Sequence, residues 1–230
     1  MNERVTEPIE SAQLSVGHIL DSVPSDVTVV AAAKGRALPE VMAVIQAGIT
    51  HIGHNYVQEA RLMVPALTGK VTWHMIGHLQ RNKAKKAVQL FDVIETVDSL
   101  RLAQAIDRHC AAIGKTIPVL VEINSGREPS KTGVLPEDVD ELIETLGSFE
   151  HINVQGLMTM GPRFGDPEDA RPYFQATREA FERLSKCGLP NVDMHYLSMG
   201  MSNSYLVAIE EGANIVRIGT KLFGSRSDGY

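Results

Sequence analysis

Two cations and two glycine–hydroxyl segments stand where chemistry can be done. Lys34 ends an apolar run, VTVVAAA at 27–33. A run this apolar suits a strand covered on both faces, so an amine at its end starts in a desolvated setting. Desolvation favours the neutral amine, and a neutral amine condenses with a carbonyl to give a Schiff base. A lysine that merely leads the strand into solvent is the competing reading. Arg217 lies in a second short apolar run, IVRIGT at 215–220. It is either a site cation or a structural arginine paired with a carboxylate. Between them in type are SMGMS at 198–202 and Gly219-Thr220. Glycines let backbone N–H groups approach an anion, and Ser198, Ser202 and Thr220 add hydroxyl donors. Ser202 also suits the N-cap of the helical pattern that follows it.

The elements that must position these residues alternate along the chain. A helical pattern at 6–22, with Ile9, Leu14, Ile19 and Leu20 roughly on one side, leads the sequence. Strand-like runs then fall at 27–33, 49–53, 71–76, 93–97, 118–123, 152–158, 194–197 and 215–218. Helical patterns fill the gaps at 38–47, 57–67, 83–91, 100–113, 136–146, 167–187 and 202–211. Alternation of this kind implies right-handed βαβ units. With 230 residues, eight units average about 29 residues each, near the size of one βα repeat. They close most simply into an α/β fold of the (β/α)8 barrel type, a single domain over 1–230 with a leading helical segment at 1–24 and the barrel at 27–224. An open doubly wound sheet is the alternative, and no GxGxxG follows a strand to support it. In a closed barrel the last strand neighbours the first, so Lys34 and Arg217 face one site. The segments after strands seven and eight are where such barrels build phosphate sites. An amine, a fixed cation and a phosphate cradle together suit an aldehyde that carries a phosphate. Pyridoxal 5′-phosphate is one such molecule, and a sugar phosphate on a class I aldolase is another.

Composition narrows the class. Apolar residues are 43% and charged residues 22%, and the net charge is −6. These values exclude disordered and collagen-like chains and speak against a general nucleic-acid or membrane-surface binder. No apolar run approaches the roughly 18 residues of a spanning helix. The polar, acidic start MNERVTEPIE resembles no targeting segment. Two cysteines, Cys110 and Cys187, without CxxC spacing suit a reduced, cytoplasmic protein. His74 and His78 lack the further partners a metal needs. His54 and His78 are expected at the barrel mouth and Trp73 in the core. Arg81, Lys83, Lys85 and Lys86 read as a solvated helix face, and Lys131, in the polar segment SGREPSKTG, is placed to reach the mouth.

Seven motifs, spread over nearly the whole chain, carry a resemblance to a known family. They are AAAKGR around Lys34, GHNYVQEA at 53–60, WHMIGHLQRNK at 73–83, VEINSGREPSKTGV at 121–134, GLMTM at 156–160, LSMGMS at 197–202 and VRIGTKLFG at 216–224. The chain resembles the pyridoxal-phosphate homeostasis proteins, themselves similar to the barrel domain of alanine racemase. The resemblance implies that Lys34 is the Schiff-base lysine, that Asn55 lies near the cofactor ring and that Arg217 faces the pyridine nitrogen. It implies phosphate contacts from Ser198, Gly219 and Thr220, with Met199 and Gly200 beside them. It also implies a role in cofactor and amino/keto-acid balance, without catalysis, in a monomer that holds the cofactor and passes it to apoenzymes. A cation at the pyridine nitrogen makes a poor electron sink. The tyrosine base that alanine racemase takes from a second domain is not expected in a chain that stops at Tyr230. A racemase of low activity is the alternative. The sequence departs from the family pattern at Gly35-Arg36 after the lysine, at His54 where glutamate is frequent and at Asn203 where aspartate is.

Overall fold

The structure is a computed structural model that describes residues 3–162 and 164–225, with side chains from Ala12 onward. The ends of the expected 1–230 domain and the Ile9 side chain lie outside the described residues. A leading helix α1 (Glu3–Ser22) precedes eight strands: β1 (Thr28–Ala32), β2 (His51–His54), β3 (Thr72–Met75), β4 (Val93–Val97), β5 (Ile117–Ile123), β6 (Ile152–Thr159), β7 (Val192–Met201) and β8 (Ile215–Ile218). The helices that follow them in turn are α2 (Leu38–Gln46), α3 (Val57–Met63), α4 (Ala84–Leu90), α5 (Leu100–Ala111), α6 (Val139–Leu146), α7 (Arg171–Leu184), α8 (Tyr205–Glu210) and α9 (Thr220–Phe223). All strand pairs are parallel and the sheet closes as β1-β2-β3-β4-β5-β6-β7-β8. The expected barrel and its extra N-terminal helix are therefore present.

Local chemistry sets the element ends. Pro39 sits in the first turn of α2, where its missing N–H costs nothing. Glu40 reaches back to accept from Ala37 N at 2.8 Å, satisfying a donor that the helix leaves free. Asp166 accepts from Glu168 N at 3.0 Å and opens the 3-10 turn that leads into α7. The helical pattern at 57–67 splits, because Pro65 cannot continue α3 and a 3-10 turn takes over at Val64–Ala66.

Packing divides into two shells. Between sheet and helices lies the main core, including the fully buried Phe91 and Phe174. Truncating either to alanine costs about 3–5 kcal/mol. Inside the barrel lies a small apolar group, Val30, Ile76, Leu120, Met158 and Ile215. It shares the interior with an unusual number of polar side chains: His74, Glu95, Glu122, Ser198 and Arg217 are all buried. Strand alternation puts these residues inward.

Candidate functional site at the barrel mouth

The β1–β8 pairing that closes the barrel sets Val30 abreast of Arg217 and Ala31 abreast of Ile218. Lys34 lies two residues beyond the end of β1, half-buried, with Nζ 5.1 Å from the centre of the Tyr56 ring. Its amine is thus less desolvated than a strand-terminal position would make it. Lys34 and Arg217 line one cavity of about 490 Å³ at the C-terminal ends of the strands, together with Asn55, Ser202, Gly219 and Thr220. Ile76 and Met160 supply apolar wall, and Phe164, Met201 and Asn203 rim it. Of the expected site residues, Lys34, Asn55, Arg217, Gly219 and Thr220 come together here.

Ser198, Met199 and Gly200 do not line this cavity, and the cause is strand length. SMGMS was expected as a loop, but β7 runs on to Met201, so alternation rather than loop geometry aims its side chains. Ser198 points into the barrel interior. Met199 packs outward, fully buried in the main core. Gly200 has φ +85°, and a Cβ there would lie 2.6 Å from Ala208 Cβ on α8. Ser202, one residue past the strand, takes the cavity position, and its Oγ accepts from Gly219 N at 3.1 Å and Lys221 N at 3.5 Å. It does not cap α8, which begins three residues later.

Arg217 is almost fully buried. Nη1 donates to Ser198 Oγ at 2.5 Å and Nη2 donates to the Thr159 carbonyl at 2.8 Å. Ser198 Oγ donates in turn to Glu95 Oε2 at 2.6 Å. The other Glu95 oxygen accepts from His74 Nδ1 at 2.6 Å, and His74 Nε2 meets His51 Nδ1 at 2.9 Å. Burial raises the Glu95 carboxyl, but the His74 hydrogen bond and the His74 and Arg217 charges outweigh it and leave the group below its ordinary value. Burial lowers Arg217, with Glu95 and Glu122 opposing; a guanidinium stays charged regardless. Burial, then His74, pushes His51 down to about 4.

The sequence departures have local reasons. Gly35 has φ +68°, a conformation that side chains disfavour, and its N–H donates to Glu59 Oε2 at 3.2 Å. Arg36 ties the loop that carries Lys34 to α9 through the Phe223 carbonyl at 3.0 Å, and it stacks on the Phe223 ring. Asn203 Nδ2 donates to the Gly165 carbonyl at 3.1 Å across the rim, a bond that an ionised aspartate cannot make. His54 is not at the mouth. It faces outward and is fully buried, stacked on Trp73 at 5.7 Å, with Nδ1 3.5 Å from Glu59 Oε2. Burial lowers its pKa against the opposing pull of Glu59. Lys131 does not reach the cavity; it pairs with Glu128 at 2.5 Å over the Tyr173 ring.

Sequence reasoning missed Glu95 and His51, and it gave Glu122 and His74, noted at strand ends, no part in the site. A signal existed: Glu95 and Glu122 are the charged residues in two otherwise uncharged strands, VIETV and IPVLVEI. Among the described residues no group of three or more His, Cys, Asp or Glu could hold a metal ion, and no helix is long and apolar enough to cross a membrane.

The cavity's donors fit pyridoxal 5′-phosphate. An amine stands at one end, a buried cation lies at the base, and hydroxyls with backbone amides gather at Ser202 and Gly219-Thr220. Comparisons agree with this chemistry. The alanine racemase N-terminal domain family matches residues 21–227. A pyridoxal phosphate homeostasis protein of Aquifex aeolicus is 43% identical over 180 residues, covering 78% of each chain. One of Vibrio alginolyticus is 31% identical over 95% of this chain and 99% of its own. The structure of PipY from Synechococcus elongatus with PLP bound matches with a TM-score of 0.85 at 30% identity, over 93% of this chain and 100% of PipY. Alanine racemase of Clostridium difficile, at 17% identity and a TM-score of 0.77, shares the fold over 95% of this chain and 57% of the racemase. The chain belongs to the alanine racemase N-terminal domain family and, within it, to the pyridoxal phosphate homeostasis proteins.

Proposed function

We propose that the chain holds pyridoxal 5′-phosphate in the mouth cavity and acts in the homeostasis of that cofactor, and through it in amino- and keto-acid balance. The observation that carries this is the convergence of Lys34, Arg217, Ser202, Gly219 and Thr220 on one cavity of about 490 Å³. Full-length similarity to PipY, solved with PLP bound, supports it. When bound, the cofactor supplies an aldehyde that condenses with a primary amine. Lys34 Nζ is the amine placed to meet it. Arg217 presents a fixed charge to the aromatic ring and gives up no proton. Ser202 Oγ, Thr220 and the backbone at Gly219 receive the phosphate, and Asn55 flanks the ring. Ser198 acts one step back by orienting Arg217, while Met199 and Gly200 shape the strand that carries Ser202.

A carrier rather than a catalyst fits the lining best. Racemisation moves protons on two faces of an amino acid and needs a group for each. Besides Lys34 and Arg217, the described lining side chains are amides, hydroxyls and apolar groups. The fold shared with alanine racemase favours a weak racemase as the second reading. We further infer that residues 27–224 form one cofactor-holding barrel led by 1–24, working as a cytoplasmic monomer that passes the cofactor to apoenzymes. The test is an absorbance spectrum with added PLP. Wild type should gain a long-wavelength band, and borohydride should fix the cofactor's mass on Lys34; Lys34→Ala should do neither. A wild type that takes up no PLP overturns the proposal. Rapid deuterium wash-in at the α-carbon of alanine would replace the carrier with the racemase.

A further inference from the structure

Beside the mouth cavity lies a second cleft of about 250 Å³ that nothing above employs. Asn55 lines both spaces and forms the wall between them. That wall is tight. A Cβ on Gly77 would stand 2.5 Å from the Asn55 carbonyl oxygen and 2.6 Å from Asn55 Cα. The Gly77 carbonyl in turn accepts from the buried Thr96 hydroxyl at 2.8 Å, which anchors the wall to β4.

The cleft has two chemically different sides. Val57, Met75 and Leu79, all buried, make an apolar floor. Gln58, Gln80 and the half-buried Lys83 make a polar rim. These three side chains form no hydrogen bond or ion pair with the described residues. The acids nearby are otherwise engaged. Asp98 pairs at 3.2 Å with His78, which itself lines the cleft, and Glu59 takes the Gly35 N–H and faces His54. Lys83 therefore stands as a cation over an apolar floor, with amide donors beside it and no carboxylate among the described residues paired with it. Lys83 ends the motif WHMIGHLQRNK, from which Ile76 lines the cofactor cavity and Lys83 does not.

We propose that this cleft binds a small aliphatic monocarboxylate that carries no ammonium group. The carboxylate meets Lys83 and the Gln58 and Gln80 amides, a charge-assisted arrangement. The aliphatic body covers the floor. The volume is below the roughly 300–1,000 Å³ of drug-sized sites, which suits a ligand of few atoms. An amino acid of the same shape brings an ammonium beside Lys83, and among the described residues the carboxylate behind the lining, Asp98, is already held by His78, so the cleft discriminates against it. Inorganic phosphate satisfies the rim but leaves the floor uncovered. Binding here does not depend on the cofactor assigned to the neighbouring cavity.

The experiment is a calorimetric titration of the full chain, without added cofactor, using 3-methyl-2-oxobutanoate, valine and inorganic phosphate. The 2-oxo acid should bind at least about tenfold more tightly than either competitor. Lys83→Gln should weaken it about tenfold, and Arg81→Gln, an exposed cation outside the cleft, should leave it unchanged. Gln80→Ala, an exposed position, gives a second variant that should weaken binding should Lys83→Gln fail to fold. Equal affinity in wild type and both cleft variants overturns the proposal, as does valine or phosphate binding as tightly as the 2-oxo acid. Binding lost in Lys34→Ala but kept in Lys83→Gln puts the acid in the mouth cavity and also overturns it. The spectrum with PLP tests the cofactor reading separately, so failure of one leaves the other standing.

Discussion

Arg217 and Glu95 lie 3.9 Å apart inside the barrel, and the hydroxyl of Ser198 joins them as acceptor from one and donor to the other. The two charges balance while both side chains are buried. Removing one member of a buried pair strands the other and typically costs about 3–5 kcal/mol. Glu95→Gln should lower the free energy of unfolding in urea by that order and also weaken PLP uptake, since Arg217 loses its anchor. Ser198→Ala should cost less, about 1–3 kcal/mol, because it removes a neutral bridge. Glu95→Gln as stable as wild type would show that the pair is not coupled.

Glu122 gives the opposite sign. Burial raises its pKa, the Thr132 hydrogen bond at 2.8 Å only partly offsets this, and Oε2 has no partner among the described residues. Below the unfolded-state pKa both states are protonated and the group contributes nothing. As pH rises, the unfolded chain ionises first and the native state loses stability, until the pH passes the raised native value. Wild-type melting temperature should therefore fall relative to Glu122→Gln as pH climbs from about 4.5. Parallel melting curves for the two proteins would contradict a buried, strained carboxyl.

The barrel was legible because its signals are local and periodic. VTVVAAA, PVLVEI and their like each announce a strand, and their regular spacing counts the units. Lys34 and Arg217 could be placed in one site because the last strand of a closed barrel neighbours the first, whereas Asn55 joins them only through the family resemblance. What sequence could not show is where a strand stops. Extending β7 through Met201 turned Ser198 inward, sent Met199 into the outer core and moved the cavity hydroxyl to Ser202. The His51–His74–Glu95–Ser198–Arg217 chain was hidden for a similar reason. Its members come from five strands, and their contacts depend on register across the barrel interior, which no single segment encodes.

The two thiols should differ sharply. Cys110 is fully buried on α5, and burial pushes its thiol up to about 11; Cys187 is exposed. Thiolate is the reactive form. A maleimide at neutral pH should label one site on the native protein, Cys187, and both sites in denaturant, as read by mass spectrometry. Native labelling of Cys110 would mean that α5 opens readily from the barrel.

Gly77 and Gly69 offer a paired test of the wall between the two cavities. A methyl on Gly77 would lie 2.5, 2.6 and 2.8 Å from the carbonyl oxygen, Cα and Cβ of Asn55. Two of those atoms are backbone, so relief requires the chain itself to move, and Asn55 moves with it. The Gly77 side cannot yield freely: Thr96 holds its carbonyl, and Ile76 N donates to the His54 carbonyl at 3.0 Å. Gly77→Ala should thus cost about 1–3 kcal/mol of stability and weaken PLP about tenfold, while leaving Lys34 able to form the borohydride-fixed adduct at saturating PLP. Gly69 has φ +72° with nothing within 4 Å. Gly69→Ala should cost about 1 kcal/mol through backbone conformation alone and leave PLP affinity unchanged. If both variants lose PLP affinity equally, the loss follows stability rather than the position of Asn55, and Asn55 is not a wall of the cofactor site.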